Sequence, residues 1–130
     1  MEDSILIETR DGSVSFLPGE TVEGTVAWHL DPPPRTVELR LLWYTEGKGD
    51  QDLGIVETIP FATPAADDHR SFSVRLPEGP YSFSGRLISL VWALEAVAEP
   101  GSRAQRLTLV LSPLGGEIPI YLGAVGESAG

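Results

Sequence analysis

Apolar and polar residues alternate with a period of two along most of this chain, the spacing that sends successive side chains to opposite faces of a β-strand. Val22, Gly24, Val26, Trp28 and Leu30 fall on one side, with Glu23, Thr25, Ala27 and His29 on the other. The longest apolar run lies at 76–98, behind a corner rich in proline and glycine. In it Ile88, Leu90, Trp92, Leu94 and Ala96 alternate with Ser89, Val91, Ala93, Glu95 and Val97. Because its second face is also mostly apolar, this strand is expected to be central, and that face is either covered by another layer or used for binding.

Further strands are expected at 5–8, 36–44, 53–61, 70–76 and 105–111, with an edge strand within 117–122. In 36–44, Val37, Leu39, Leu41 and Trp43 share one face, and Leu42 and Tyr44 end the other. Strict alternation from Leu53 through Ile55 would bury Glu57, so a bulge is expected near Val56 rather than a buried carboxylate. The breaks between strands carry turn chemistry: Asp11-Gly12, Pro18-Gly19, three prolines at 32–34, the hairpin tip EGKGDQD at 46–52, a loop at 63–68, Pro77 to Pro80, Gly85 and Pro100-Gly101. No stripe repeats every 3.6 residues. About seven or eight strands separated in this way predict an all-β fold, an antiparallel immunoglobulin-like β-sandwich.

The length of 130 residues suits one core. One domain is expected over 1–122, with a small-residue tail at 123–130. There are no cysteines, which removes disulfides and thiolate chemistry. The N-terminal stretch lacks a basic leader, and no run reaches the about 20 apolar residues of a membrane span, so a cytoplasmic protein without membrane insertion is expected. A net charge of -10, with fourteen acids against six bases in residues 1–76, repels phosphate backbones. Nucleic acid is not an expected partner. The same excess keeps the domain soluble or steers a basic partner.

Candidates for bond chemistry are few. Only His29 and His69 could act as imidazole bases, and no nucleophile-elbow or phosphate-cradling glycine motif accompanies them. Asp67, Asp68 and His69, joined by Asp50 and Asp52 if two loops meet, offer oxygen ligands for calcium, which takes six to eight. Solvated surface roles are the expectation for all of these, with no catalytic residue, metal or cofactor assigned. A metal- or carbohydrate-binding sandwich built on the acidic loops is the alternative.

Two segments carry a family resemblance. Phe16-Leu17-Pro18-Gly19-Glu20-Thr21-Val22-Glu23-Gly24-Thr25-Val26 resembles the arrestin N-terminal-domain signature, an aromatic and a Pro-Gly-Glu turn followed by a Val-x-Gly-x-Val strand. The corner Leu76-Pro77, Pro80, Ser82-Phe83 and Gly85, followed by the strand through Trp92 and Ala96, is similar to that family's second hallmark. The resemblance covers about residues 5–111. It implies an arrestin N-domain-like sandwich, in the style of sporulation-control and retromer-subunit relatives, and non-enzymatic adaptor or scaffold work. It does not extend to adjacent phosphate-sensing lysines in the first strand, which this chain lacks.

A protein partner, with a homodimer as one form of it, would then meet the apolar outer faces. Leu87, Val91, Ala93 and Val97 lie opposite the core set of the central strand, and Leu42, Tyr44 and Val110 take the corresponding positions on other strands. Together they are the expected binding residues. Cover from within the chain, by residues 118–121 or by the first strand, is the competing expectation.

Overall fold

The computed structural model describes residues 3–47, 51–85, 88–113 and 118–119. Its strands are β1 (Ser4–Thr9), β2 (Ser15–Phe16), β3 (Thr21–His29), β4 (Thr36–Gly47), β5 (Leu53–Phe61), β6 (Asp67–Arg75), β7 (Phe83–Ser84), β8 (Ile88–Glu99), β9 (Arg103–Leu111) and β10 (Ile118–Pro119). Seven are long; β2, β7 and β10 are two-residue bridges. No helix occurs among the described residues.

The smaller sheet runs β1-β3-β6, antiparallel throughout. The larger sheet has β8 at its centre, with β4 and then β5 on one side and β7 and β9 sharing the other. Two short pairings are parallel, β2 with β9 and β10 with β7. The period-two pattern dictates which faces meet. Val22, Val26, Trp28, Phe72 and Val74 from the smaller sheet enclose a core with Leu39, Leu41, Trp92, Leu94 and Leu109 from the larger.

Both hallmark segments converge on one end of this core. Gly19, at φ 78°, turns the chain into β3, and the Glu20 amide closes that turn on the Leu17 carbonyl at 3.1 Å. The Leu76 amide donates to the Glu20 carbonyl at 2.9 Å, and the Arg75 guanidinium donates to the Gly19 carbonyl at 3.2 Å. The two corners, some sixty residues apart in sequence, are therefore one structural unit. Beyond Pro77 the chain crosses over Trp92, whose indole Nε1 donates to the Pro80 carbonyl at 2.6 Å. Ser82 accepts from the Leu111 amide through Oγ and donates its own amide to the Leu111 carbonyl, while Phe83 packs against the core. Gly24 lets strands approach closely, since a Cβ there would sit 2.1 Å from the Glu8 carbonyl oxygen.

Some boundaries differ from the sequence expectation. β6 begins at Asp67, so the preceding loop ends at Ala66 and the Asp-Asp-His segment is strand. Ile88, expected in the core, is exposed. Of the expected edge strand, only Ile118–Pro119 is described, beside β7; the tail at 123–130 lies outside the described residues.

Candidate interaction surface

The outer face of the larger sheet is laid out by the register of its strands. Tyr44 on β4 pairs with Val91 on β8, and Leu42 pairs with Ala93, which in turn pairs with Thr108 on β9. Val110 follows Thr108 on the same face. Val97 lies further along β8, between Glu38 and Ala104. Six of the seven expected residues thus share one surface, and Leu87 lies outside the described residues.

They are unequally accessible. Tyr44, Val91 and Val110 are half-buried, whereas Leu42, Ala93 and Val97 are buried. Of the expected covers, β1 belongs to the smaller sheet and Ile118–Pro119 lies beside β7, while residues 120–121 lie outside the described residues. Among the described residues, cover comes from the face itself. The Arg106 guanidinium stands 4.8 Å from the Tyr44 ring centroid, and its Nε donates to Glu95 at 2.8 Å. The line from position 106 on β9 to position 44 on β4 crosses β8 at Ala93, so the two side chains meet above that methyl group. Arg40 extends the polar margin with Glu38 and Glu95, at 3.3 and 3.8 Å. Long cationic side chains commonly lay apolar stems over aliphatic neighbours in this way.

Two residues absent from the sequence expectation complete the surface. Register shifts between Leu41 and Leu42, leaving Val56 of β5 as the extra residue. A one-residue insertion inverts the phase of everything before it. Ile59 and Phe61 turn inward, with Phe61 against Trp28 at 5.9 Å between ring centroids, while Ile55 pairs with Leu42 and Leu53 with Tyr44 on the outer face. Leu53 is 58% exposed, Ile55 50% and Val56 45%. The expected bulge is present; Glu57 pairs with Leu41 on the inward side and is exposed on the edge strand, and it is Leu53 and Ile55 that the bulge turns outside. An apolar band therefore runs from Leu53 and Ile55 across Leu42, Tyr44, Val91 and Ala93 to Val110. Its open part is at β5, and at the other end a groove of about 380 Å3 is bordered by Tyr44, Ser84, Ser89, Val91, Thr108 and Val110.

The acidic candidates take other roles. Asp67 and Asp68 are successive strand residues and so face opposite ways. Asp68 accepts from the Arg70 guanidinium at 2.9 Å and from the Ala65 amide at 3.1 Å. The Arg70 hydrogen bond, followed by that from Ala65, lowers its carboxyl pKa to about 2. This carboxylate fastens the loop that also holds the Trp28 indole, whose Nε1 donates to the Ala65 carbonyl at 2.7 Å. Asp50 is outside the described residues, and no group of three metal-ligating side chains is gathered among those described. His29 faces Asp67 at 3.6 Å and His69 pairs across from Ala27, both on the outer face of the smaller sheet. No hydrogen bond links either imidazole to a serine among the described residues. Among those residues no helix is long and apolar enough to cross a membrane.

No protein-family model matches the chain, and no curated protein matches it. Among solved structures it is similar to Spo0M, the sporulation control protein of Bacillus subtilis, with a TM-score of 0.60 at 16% sequence identity. The similarity covers 85% of this chain but 49% of Spo0M, so the chain spans about half the length of that protein. At this identity the likeness speaks to fold, and together with the two-sheet topology it establishes that the chain has an arrestin-like β-sandwich fold.

Proposed function

We propose that this chain is a non-enzymatic adaptor or scaffold domain of the cytoplasm, acting by protein binding through the outer face of the larger sheet. The observation that carries this reading is the apolar band across β5, β4, β8 and β9, which ends in two residues at least half exposed. Isolated surface leucines need no explanation, but aliphatic residues contiguous across strands and rimmed by charge are the usual composition of a contact patch. Tyr44 and Arg106 at its middle are of the types enriched at protein contacts. The arrestin-like fold supports a regulatory or adaptor role by analogy, and fold alone does not assign function.

The test is positional crosslinking in the source organism. A photoreactive residue placed at Ile55 should give a discrete adduct with another polypeptide, identified by mass spectrometry, while the same residue at Ser71 on the smaller sheet should give none. Adducts from position 71 and not from 55 would move the binding surface to the other sheet and overturn the proposal.

A further inference from the structure

We propose that the free edge of β6 pairs with the same edge of a second copy of this chain, antiparallel and centred on Ser71, joining two smaller sheets into one of six strands. This surface is separate from the outer face of the larger sheet and does not depend on it. Three observations carry the pairing.

The first is that the edge is open and regular. β6 ends the smaller sheet, with β3 on one side and no strand on the other among the described residues. It pairs with β3 over nine residues without a register shift and contains no proline. β5, the edge strand of the larger sheet, has both a bulge at Val56 and Pro60. Natural sheets blunt exposed edges with such devices, and a long edge that lacks them is a template for another strand.

The second is the phase of the backbone. The ladder between β6 and β3 closes through even-numbered residues, since the Leu76 amide donates to the Glu20 carbonyl at 2.9 Å at one end and the Leu30 amide to the Ala66 carbonyl at 2.8 Å at the other. Alternate residues of an antiparallel strand bond to the same neighbour. The amides and carbonyls of residues 67, 69, 71, 73 and 75 therefore point to the open side. An antiparallel copy can bond there only where odd residues meet odd ones. The register that uses all nine residues sets Asp67 opposite Arg75, His69 opposite Ser73 and Ser71 opposite itself. The His69 amide, which donates to Asp68 at 2.8 Å, exchanges that bond for the carbonyl of Ser73 in the second copy.

The third is charge. Asp67 and Arg75 are exposed and of opposite sign, so antiparallel copies place two acid–base pairs across the contact, whereas parallel copies would set acid against acid and base against base. Both are available: Asp67 stands 3.6 Å from His29, and Arg75 donates to the Gly19 carbonyl without an ion pair among the described residues. Sliding the register by two residues in either direction shortens the match from nine residues to seven and loses both pairs. On the inward row Asp68 keeps Arg70, and Phe72 and Val74 keep the core. With two acids and two arginines β6 is neutral, so copies of a protein of net charge -10 can meet along it.

The protein has no cysteine, so single cysteines report the register. Under mild oxidation Ser71→Cys should give a disulfide-linked dimer on a non-reducing gel, because its two copies lie about 5.5 Å apart between Cα atoms. Ser73→Cys, about 14 Å from its own counterpart, should crosslink no faster than Glu8→Cys on β1, the measure of chance collision. A photoadduct through this edge has twice the mass of the chain, which separates it from the different polypeptide sought at Ile55. In sedimentation equilibrium the unaltered protein should be a dimer. Ser71→Pro removes an amide that serves the open side and not β3, and should give a monomer with an unchanged circular dichroism spectrum. Asp67→Arg or Arg75→Asp alone should weaken the dimer about tenfold, and the two together should restore it to within about threefold.

An unaltered protein that sediments as a monomer, with Ser71→Cys crosslinking no faster than Glu8→Cys, would overturn the proposal. So would a dimer that Leu53→Ser with Ile55→Ser disperses and the single charge reversals leave intact, which would seat the second copy on the larger sheet. Faster crosslinking at position 73 than at 71 would overturn the register. Should Ser71→Pro fail to fold, the charge exchange decides: loss in both single variants without recovery in the double variant would mean that Asp67 and Arg75 do not meet across the contact, and would overturn the pairing.

Discussion

The Arg106 guanidinium lies 4.8 Å from the centroid of the Tyr44 ring, directly above the path of β8 at Ala93. Arg106 is anchored from its other side by Glu95, so cation, ring and carboxylate form a chain across three strands. That chain closes the middle of an otherwise continuous apolar band. The coupling should be measurable. A double-mutant cycle of Tyr44→Leu and Arg106→Ala, followed by urea unfolding, should give an interaction energy of about 0.5–1 kcal/mol, the range for a partly solvated cation–π pair. Arg106→Ala should also increase binding of a hydrophobic dye, because Ala93 and Leu42 lose their cover. A coupling near zero with unchanged dye binding would mean that the cover comes from elsewhere.

Glycine at position 24 is demanded by contact. Its missing side chain would lie 2.1 Å from the Glu8 carbonyl oxygen and 2.9 Å from the Phe72 ring, between the outer strands of the smaller sheet. Neither β1 backbone nor a buried ring yields easily, and overfilling of this kind typically costs about 1–3 kcal/mol. Gly24→Ala should fall at the upper end of that range and lower the melting temperature by about 5–15 °C. Gly12→Ala is the comparison: nothing lies within 4 Å there, and only its φ of 78° opposes a side chain. It should cost about 1 kcal/mol. Equal effects would show that backbone angle and not crowding governs both sites.

The carboxylate of Asp68 should leave a mark on acid stability. Its pKa, lowered from 3.8 to about 2 chiefly by the Arg70 hydrogen bond, means that the folded protein holds this proton less tightly than the unfolded chain does. The stabilisation is therefore present above pH 4 and lost as pH falls through about 2. Asp68→Asn should be less stable than the unaltered protein at pH 6, and the gap should narrow steadily between pH 4 and 2. Urea midpoints at three pH values across that window measure it. A gap that stays constant would mean that Asp68 acts through its shape and not its charge.

The legibility of this chain follows from the locality of its signals. Alternation placed Val22 to Leu30, Val37 to Trp43 and Leu90 to Ala96 on their faces, because the pleat maps sequence parity directly onto side. The bulge near Val56 lies where the sequence predicts it, although it reverses Leu53 and Ile55 and leaves Glu57 in phase with Ile59, paired with Leu41 and exposed on the edge strand. What parity could not supply was its consequence on a neighbouring strand. Leu53 was placed by its own alternation, and only pairing with Tyr44 reveals that it joins the band. The lid over Ala93 was likewise invisible, since Arg106 and Tyr44 are 62 positions apart and meet diagonally across a third strand. The acidic segment carries loop chemistry because Asp-Asp pairs favour turns, a preference that pairing with His29 and Trp28 overrides. Contact between the two corners was also beyond the sequence. Their shared hydrogen bonds explain why both hallmarks occur together.

Trp92 supplies the most direct test of that corner. Its ring is completely buried at the centre of the larger sheet, and its one polar atom is spent on the Pro80 carbonyl. Proline is well placed there: it donates no hydrogen bond of its own, and its carbonyl gives the indole a fixed acceptor. Trp92→Phe removes the donor and leaves a void together with an acceptor that has lost its partner, two costs that add. The substitution should destabilise the protein by about 2–4 kcal/mol. The damage should also be local. Amide exchange ought to quicken most for Ser82 and Leu111, which exchange hydrogen bonds just beyond Pro80, while β1 and β3 keep the protection of the remaining fold. Uniform loss of protection across both sheets would show instead that Trp92 serves the core as bulk, and that the corner is held by Gly19, Glu20 and Leu76 without it.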